Sequence, residues 1–185
     1  HEVCSLAGVW KLNKLIALYD DNGISIDGKI ENWFGENVRE RFESYNWNVI
    51  GPIDGHDIEA VSEAIEEAKK SDKPTLIDCK TVIGFGSPNR AGTSKAHGSP
   101  LEELAEAKKA LGWEYAPFEI PQEIYDAFDA RKAGAEMEEA WLEKYRRYAE
   151  AFPAKAAELE RRMKGQLPEN WDDVILEAIV NAAGE

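Results

Sequence analysis

Asp20, Asp21 and Asn22 set three oxygen-bearing side chains in succession, directly before Gly23. Hard oxygen donors of this kind hold Mg²⁺ or Ca²⁺. The spacing is not that of a calcium hand, because counting from Asp20 puts Ile24 where an oxygen ligand is required and Ser25 where the glycine belongs. On local grounds alone these residues read first as turn formers, and Asn22-Gly23 is a common turn pair. A metal role for Asn22 stays open beside that reading. His97 is the second chemical centre. It lies in GFGSPNRAGTSKAHGS, residues 84–99, a stretch with almost no apolar anchor. An imidazole there can donate to a phosphate oxygen or exchange a proton with a hydroxyl near neutral pH; the alternative is a hydrogen bond that steadies the loop. Gly84, Gly86 and Gly92 would let backbone N–H groups approach an anion, although they spell neither GxGxxG nor a P-loop.

The other candidates carry less. His56, inside DGHD before a helical pattern, reads as structural. His1-Glu2 lacks the second histidine of HExxH, and neither Cys4 nor Cys79 has neighbours that would activate a thiol.

Both chemical centres follow apolar runs. Leu15 to Tyr19 is a short run that stops at Asp20, which suits a buried parallel strand feeding a loop at its carboxyl end. That is the end where open α/β sheets bind ligands. Glu31 to Tyr45 spaces Val38, Phe42 and Tyr45 for one helical face, and Trp47 to Ile50 supplies a second strand. Pro52 to His56 then turns the chain. Asp57 is placed to cap a helix whose stripe is Ile58, Val61, Ile65 and Ala68. Thr75 to Cys79 reads as the next buried strand, so two strand–helix–strand connections in series predict parallel pairing. Ser99, Pro100 and Glu102 match a capping box that opens a helix through Leu101, Leu104 and Ala105 to Leu111. Beyond it WEYAPFEIP is an extended aromatic connector, and Pro121 opens a helix over Gln122 to Lys132. Gly134 to Arg162 reads as one long helix interrupted or bent at Pro153. Its stripe of Met137, Trp141, Tyr145, Tyr148 and Phe152 fits helical core packing. Trp171 to Ala183 forms a short final helix or a linker. The expected organisation is an α/β layer over residues 1–112 and a helical appendage over 113–185.

The 36 acidic residues against 22 basic ones give a formal charge of -14, which repels phosphate backbones and argues against nucleic acid. Two distant cysteines suit a reducing, cytoplasmic setting. No apolar stretch approaches membrane-spanning length, so no membrane partner is expected. The opening HEVCSLA reads as the inside of an amphipathic helix with no start signal, from which a fragment is expected.

Taken together, HEVCSLAGVWKLNKLIALYDDNGISIDGKIENWF, RFESYNWNVI, IDGHD, KPTLIDCKTVIGFGSPNRAGTSKAHGSPL and LGWEYAPFEIP resemble the second half of the diphosphate-binding module of bacterial-type transketolases. The resemblance covers nearly the whole chain and rests on several separate motifs in one order. It implies a partly parallel sheet in three layers, flanked by helices as half of a thiamine-diphosphate-binding fold, with a helical C-terminal appendage leading toward a second module. It also implies transfer of a two-carbon ketol unit between ketose and aldose sugar phosphates in the pentose phosphate pathway. The cofactor would be thiamine diphosphate held through Mg²⁺, for which Ca²⁺ could substitute. By the same resemblance Asn22 matches the side-chain metal ligand that ends the family's metal motif. Ile24 matches the residue whose backbone carbonyl completes the protein's share. His97 matches the catalytic histidine that reaches the cofactor diphosphate and a substrate hydroxyl.

The departures are specific. The Gly-Asp-Gly aspartate that begins the family's metal motif is not in this chain, nor are the loop histidines of the first half-module or the pyrimidine-binding module. Ser94 and Lys95 stand where bacterial relatives carry His and Asp. Such enzymes form their sites across a dimer interface, so a homodimer or a complementing polypeptide is the expected partner, and negligible ketol transfer is expected of the chain by itself. The alternative class is a noncatalytic α/β interaction domain, or a remnant that keeps the fold.

Overall fold

The computed structural model describes residues 1–98 and 103–184. They form two compact units, His1–Ala116 and Pro117–Glu185. In the first, α1 (Glu2–Val9) leads to β1 (Ile16–Asp21), a two-stranded antiparallel hairpin of β2 (Ile24–Ser25) and β3 (Gly28–Lys29), α2 (Val38–Ser44), β4 (Asn48–Asp54), α3 (Ile58–Ala68) and β5 (Thr75–Lys80). The three long strands make one parallel sheet in the order β1-β5-β4.

The central strand β5 explains the layering. Five successive residues of TLIDCK are buried, as a strand covered on both faces requires. With period two, Ile77 and Cys79 join Ala64 and Ala68 of α3, packed by Ile16, Ile50, Ile53 and Ile65. Leu76 on the opposite face meets Ala7 of α1 and Trp47, with Val38, Phe42, Tyr45 and Tyr19 around them. Gly8 is required where α1 meets the end of α2, since a Cβ there would fall 1.8 Å from the Tyr45 carbonyl oxygen.

The Asp57 cap forms as expected, its carboxylate accepting from the Glu59 and Ala60 N–H groups at 2.9 and 3.2 Å. Asp57→Ala is expected to lower stability by about 0.5–2 kcal/mol in urea unfolding, the usual range for a lost N-cap. Ile58, however, is exposed and does not belong to the buried stripe.

Other boundaries move. β1 continues through Asp20 and Asp21, which register with Cys79 and Lys80 of β5, so the loop begins at Asn22. β4 does not end at Ile50 but passes through Pro52 to Asp54 by a register shift between Ile50 and Ile53. Only Val38–Ser44 of the Glu31–Tyr45 segment is helical, because the Asn37 side chain accepts from the Glu40 N–H and starts the helix there. The capping-box residues Ser99, Pro100 and Glu102, with Leu101, lie outside the described residues; α4 is described over Leu104–Ala110.

The second unit holds α5 (Gln122–Phe128), α6 (Arg131–Ala151), α7 (Pro153–Met163) and α8 (Trp171–Ala183). Gly134 lies inside α6 rather than at its start, and α5 stops short of Lys132. Phe152 separates α6 from α7, which Pro153 opens, and the Tyr145 hydroxyl joins the two helices through the Glu160 carboxylate at 2.7 Å. Two arginines, Arg161 and Arg162, hold the Glu158 carboxyl down at about 2. The aromatic stripe is not a core of this chain: Met137, Trp141, Tyr148 and Phe152 are exposed. Its rings pack on one another along the helix, Trp141 stacked on Tyr145 at 5.3 Å.

Candidate functional site

The carboxyl ends of β1 and β5 are adjacent, and each opens into a loop that carries a sequence-derived candidate. Their roots are tied together by side chains. The Thr81 hydroxyl bonds the Asp20 carboxylate, the Lys80 ammonium pairs with Asp21, and the Thr81 N–H donates to the Asp21 carbonyl at 3.4 Å. The Lys80 ammonium is pushed above its ordinary range chiefly by the bond to Asp21. Sequence reasoning missed these links, since the partners are separated by about sixty residues; the signal was the parallel register that sets Asp20 and Asp21 beside the end of β5.

Asn22 is the first residue after β1. Its side-chain oxygen accepts from the Ile24 N–H at 2.9 Å, closing a turn that Gly23 completes with φ +67°. Ile24 opens the hairpin paired with Lys29. The turn-former reading of Asn22-Gly23 is thus borne out. The amide oxygen of Asn22 and the carbonyl of Ile24 are hard donors suited to Mg²⁺, while Asp20 and Asp21 are engaged with Thr81 and Lys80. No group of three or more His, Cys, Asp or Glu among the described residues could hold a metal by itself. Two oxygens, the Asn22 amide and the Ile24 carbonyl, are too few to hold a divalent cation by themselves.

His97 follows a short 3₁₀ turn, Ser94–Ala96, and is exposed. The loop before it is not structureless. Gly92 N–H donates to the Ile83 carbonyl at 2.8 Å, and Ser87 and Arg90 reach Glu103. No hydrogen bond or ion pair among the described residues joins Asn22 or Ile24 to His97.

Beside the root of the β1 loop lies a cavity of about 340 Å³ lined by Tyr19, Asp21, Phe34, Arg39, Asp78 and Lys80. Arg39 Nε stands 3.4 Å from Asp78 Oδ2, and Asp78 Oδ1 is buried with no hydrogen-bond partner among the described residues. Burial pushes the Asp78 carboxyl above its usual range, the Asp21 charge adds to this, and Lys80 and Arg39 oppose it. The charged form is thus net disfavoured where it stands. A raised folded-state pKa means that stability falls as pH rises from the unfolded value of 3.8 to the folded one, and is flat above. Asp78→Asn, which removes that charge at constant shape, is expected to be at least as stable as the parent at pH 7. The margin should shrink in acid, as urea midpoints at several pH values would report. Burial likewise raises the Cys79 thiol, leaving it unsuited to nucleophilic work.

A family model described as "Transketolase, thiamine diphosphate binding domain" matches residues 1–168. Transketolase 1 of Escherichia coli K12 is 58% identical over 175 residues, covering 93% of this chain and 26% of that protein. Transketolase 1 of Vibrio cholerae is 56% identical over 184 residues, covering 98% and 28%. Among solved structures, the transketolase of Leishmania mexicana superposes with a TM-score of 0.84 at 34% identity. That of Pichia stipitis, solved with sedoheptulose 7-phosphate, gives 0.82 at 39%; both matches cover 93% of this chain and 26% of the other. The chain spans about a quarter of the length of these relatives. With the family match spanning most of its residues and the parallel sheet shared at that level of identity, the chain belongs to the transketolase family, within its thiamine diphosphate binding domain.

Proposed function

We propose that this chain supplies the Asn22 and His97 side of a thiamine-diphosphate and Mg²⁺ site in a transferase that moves two-carbon ketol units between sugar phosphates. The observation that carries this is the placement of the two candidate loops at the carboxyl ends of adjacent parallel strands, roots tied by Asp20–Thr81 and Asp21–Lys80. In this reading Asn22 Oδ1 and the Ile24 carbonyl would hold the Mg²⁺, and His97 would donate to the diphosphate and exchange a proton with the substrate hydroxyl. The cofactor, when bound, supplies the electron sink for breaking and making the carbon–carbon bond. The working assembly in this reading is a homodimer or a complex with a complementing polypeptide. A cytoplasmic setting accords with Cys4 and Cys79, both free thiols.

The test is titration of Mg²⁺ and thiamine diphosphate into the chain alone and into the chain with a polypeptide supplying the rest of the relatives' length. Binding and ketol transfer that arise only in the mixture support the proposal. No binding in either case would overturn it. A second reading, a noncatalytic interaction domain, draws on the exposed Met137, Trp141, Tyr148 and Phe152, and gains from that negative outcome.

A further inference from the structure

The loop that carries His97 is gripped at its root by another histidine. His56 sits in the turn between β4 and α3, and its Nε2 accepts the Val82 N–H at 2.8 Å. Its ring lies flat on Phe85, centroids 4.1 Å apart and planes 19° from parallel. The backbone of the turn that bears the ring is held in place, since the His56 backbone N–H donates to the Asp54 carboxylate at 2.9 Å and the Gly55 N–H to the Lys80 carbonyl at 2.8 Å. Gly55 permits this approach: a Cβ there would fall 2.5 Å from Thr81 Cγ2 and 3.1 Å from the Lys80 carbonyl oxygen.

From that grip the loop is braced stepwise toward His97. The Val82 carbonyl accepts from Phe85 N–H at 3.1 Å, and the Ile83 carbonyl accepts from Gly92 N–H at 2.8 Å, closing the neck. Gly84, at φ +67°, comes so close to the 3₁₀ turn that a Cβ on it would stand 2.7 Å from the Ala96 Cβ. Ala96 is the residue before His97. The two ends of the loop therefore meet two residues beyond the atom that His56 holds.

We propose that His56 is a positioning residue for His97, acting as a neutral imidazole whose unprotonated Nε2 anchors Val82 while its face anchors Phe85. The significance of the grip rests on the reading of His97 given above; the grip itself does not. Accepting from a backbone N–H requires the proton to be on Nδ1, so the tautomer is a direct signature. A side chain that merely filled space would leave the tautomer free.

The experiment uses the 185-residue chain with no cofactor. Long-range ¹H–¹⁵N spectra are expected to show His56 unprotonated at Nε2 and protonated at Nδ1. In amide exchange, His56→Ala is expected to lose protection at Val82 and at His97, whose N–H donates to Ser94, while Ile77 at the sheet centre keeps it. His56→Gln, which returns an acceptor at nearly the same reach, is expected to restore Val82. A proton on Nε2 would overturn the proposal, as would unchanged exchange at His97 in His56→Ala. Should His56→Ala lose Ile77 protection as well, the parent tautomer and the Gln variant decide. Exchange without cofactor decides the grip, and the titration with Mg²⁺ and thiamine diphosphate decides the role of His97.

Discussion

In the complemented assembly, Asn22→Ala is expected to weaken Mg²⁺-dependent thiamine diphosphate binding by about 100-fold or more, since losing even an outer partner of a metal ligand costs about 10–100-fold. The alanine removes an oxygen donor, and it also removes the acceptor for the Ile24 N–H. Those two losses must be told apart. Asn22→Asp keeps an oxygen in both roles and is expected to retain the turn and most of the binding. Calorimetric titration of the two variants beside the parent, with circular dichroism to follow the fold, separates ligation from turn formation. Parent-like affinity in Asn22→Ala would remove Asn22 from the metal site.

Trp47→Ala should be the most damaging single change to the fold. The indole is buried between α1, α2 and β5, edge-on to Phe42 at 5.0 Å, and its Nε1–H donates to the Cys4 carbonyl at 2.8 Å. Emptying such a site costs about 3–5 kcal/mol, a large share of a domain's stability. Trp47→Phe keeps most of the apolar volume but loses the indole bond to the Cys4 carbonyl, for which about 1 kcal/mol is expected. Urea unfolding followed by circular dichroism reads both, the slope being unchanged where only stability moves. A loss in Trp47→Ala no larger than in Trp47→Phe would show that the indole bond, not the packing, matters at this position.

Much of the fold was legible because its cause is local. The run Thr75 to Cys79 is apolar enough to be covered on both faces, Asp57 precedes its helix at capping distance, and Pro153 ends one helix and begins the next. What escaped has a distant cause. Asp20 and Asp21 look like the end of a strand until Thr81 and Lys80 give them partners, and Pro52 looks like a turn until the register shift lets β4 run past it. The aromatic stripe of α6 shows the complementary limit, since spacing reveals that residues share a face but not what covers that face. At the candidate site, Asn22 and His97 were marked by residue type and loop context. The His56 grip was not, because Val82 lies 26 positions away and only the folded turn brings it within reach.

The two borders of the parallel sheet differ in how they meet other polypeptide. Along β4, the register shift and Pro52, which has no N–H to offer, interrupt the row of backbone groups that another strand would need. Along β1, the backbone from Ile16 to Asp21 has a strand partner on one side only among the described residues, and it is broken by neither bulge nor proline. Among the described residues, edge-to-edge templating therefore has one open direction, along β1. In solutions of the chain by itself, aggregation should begin at that border.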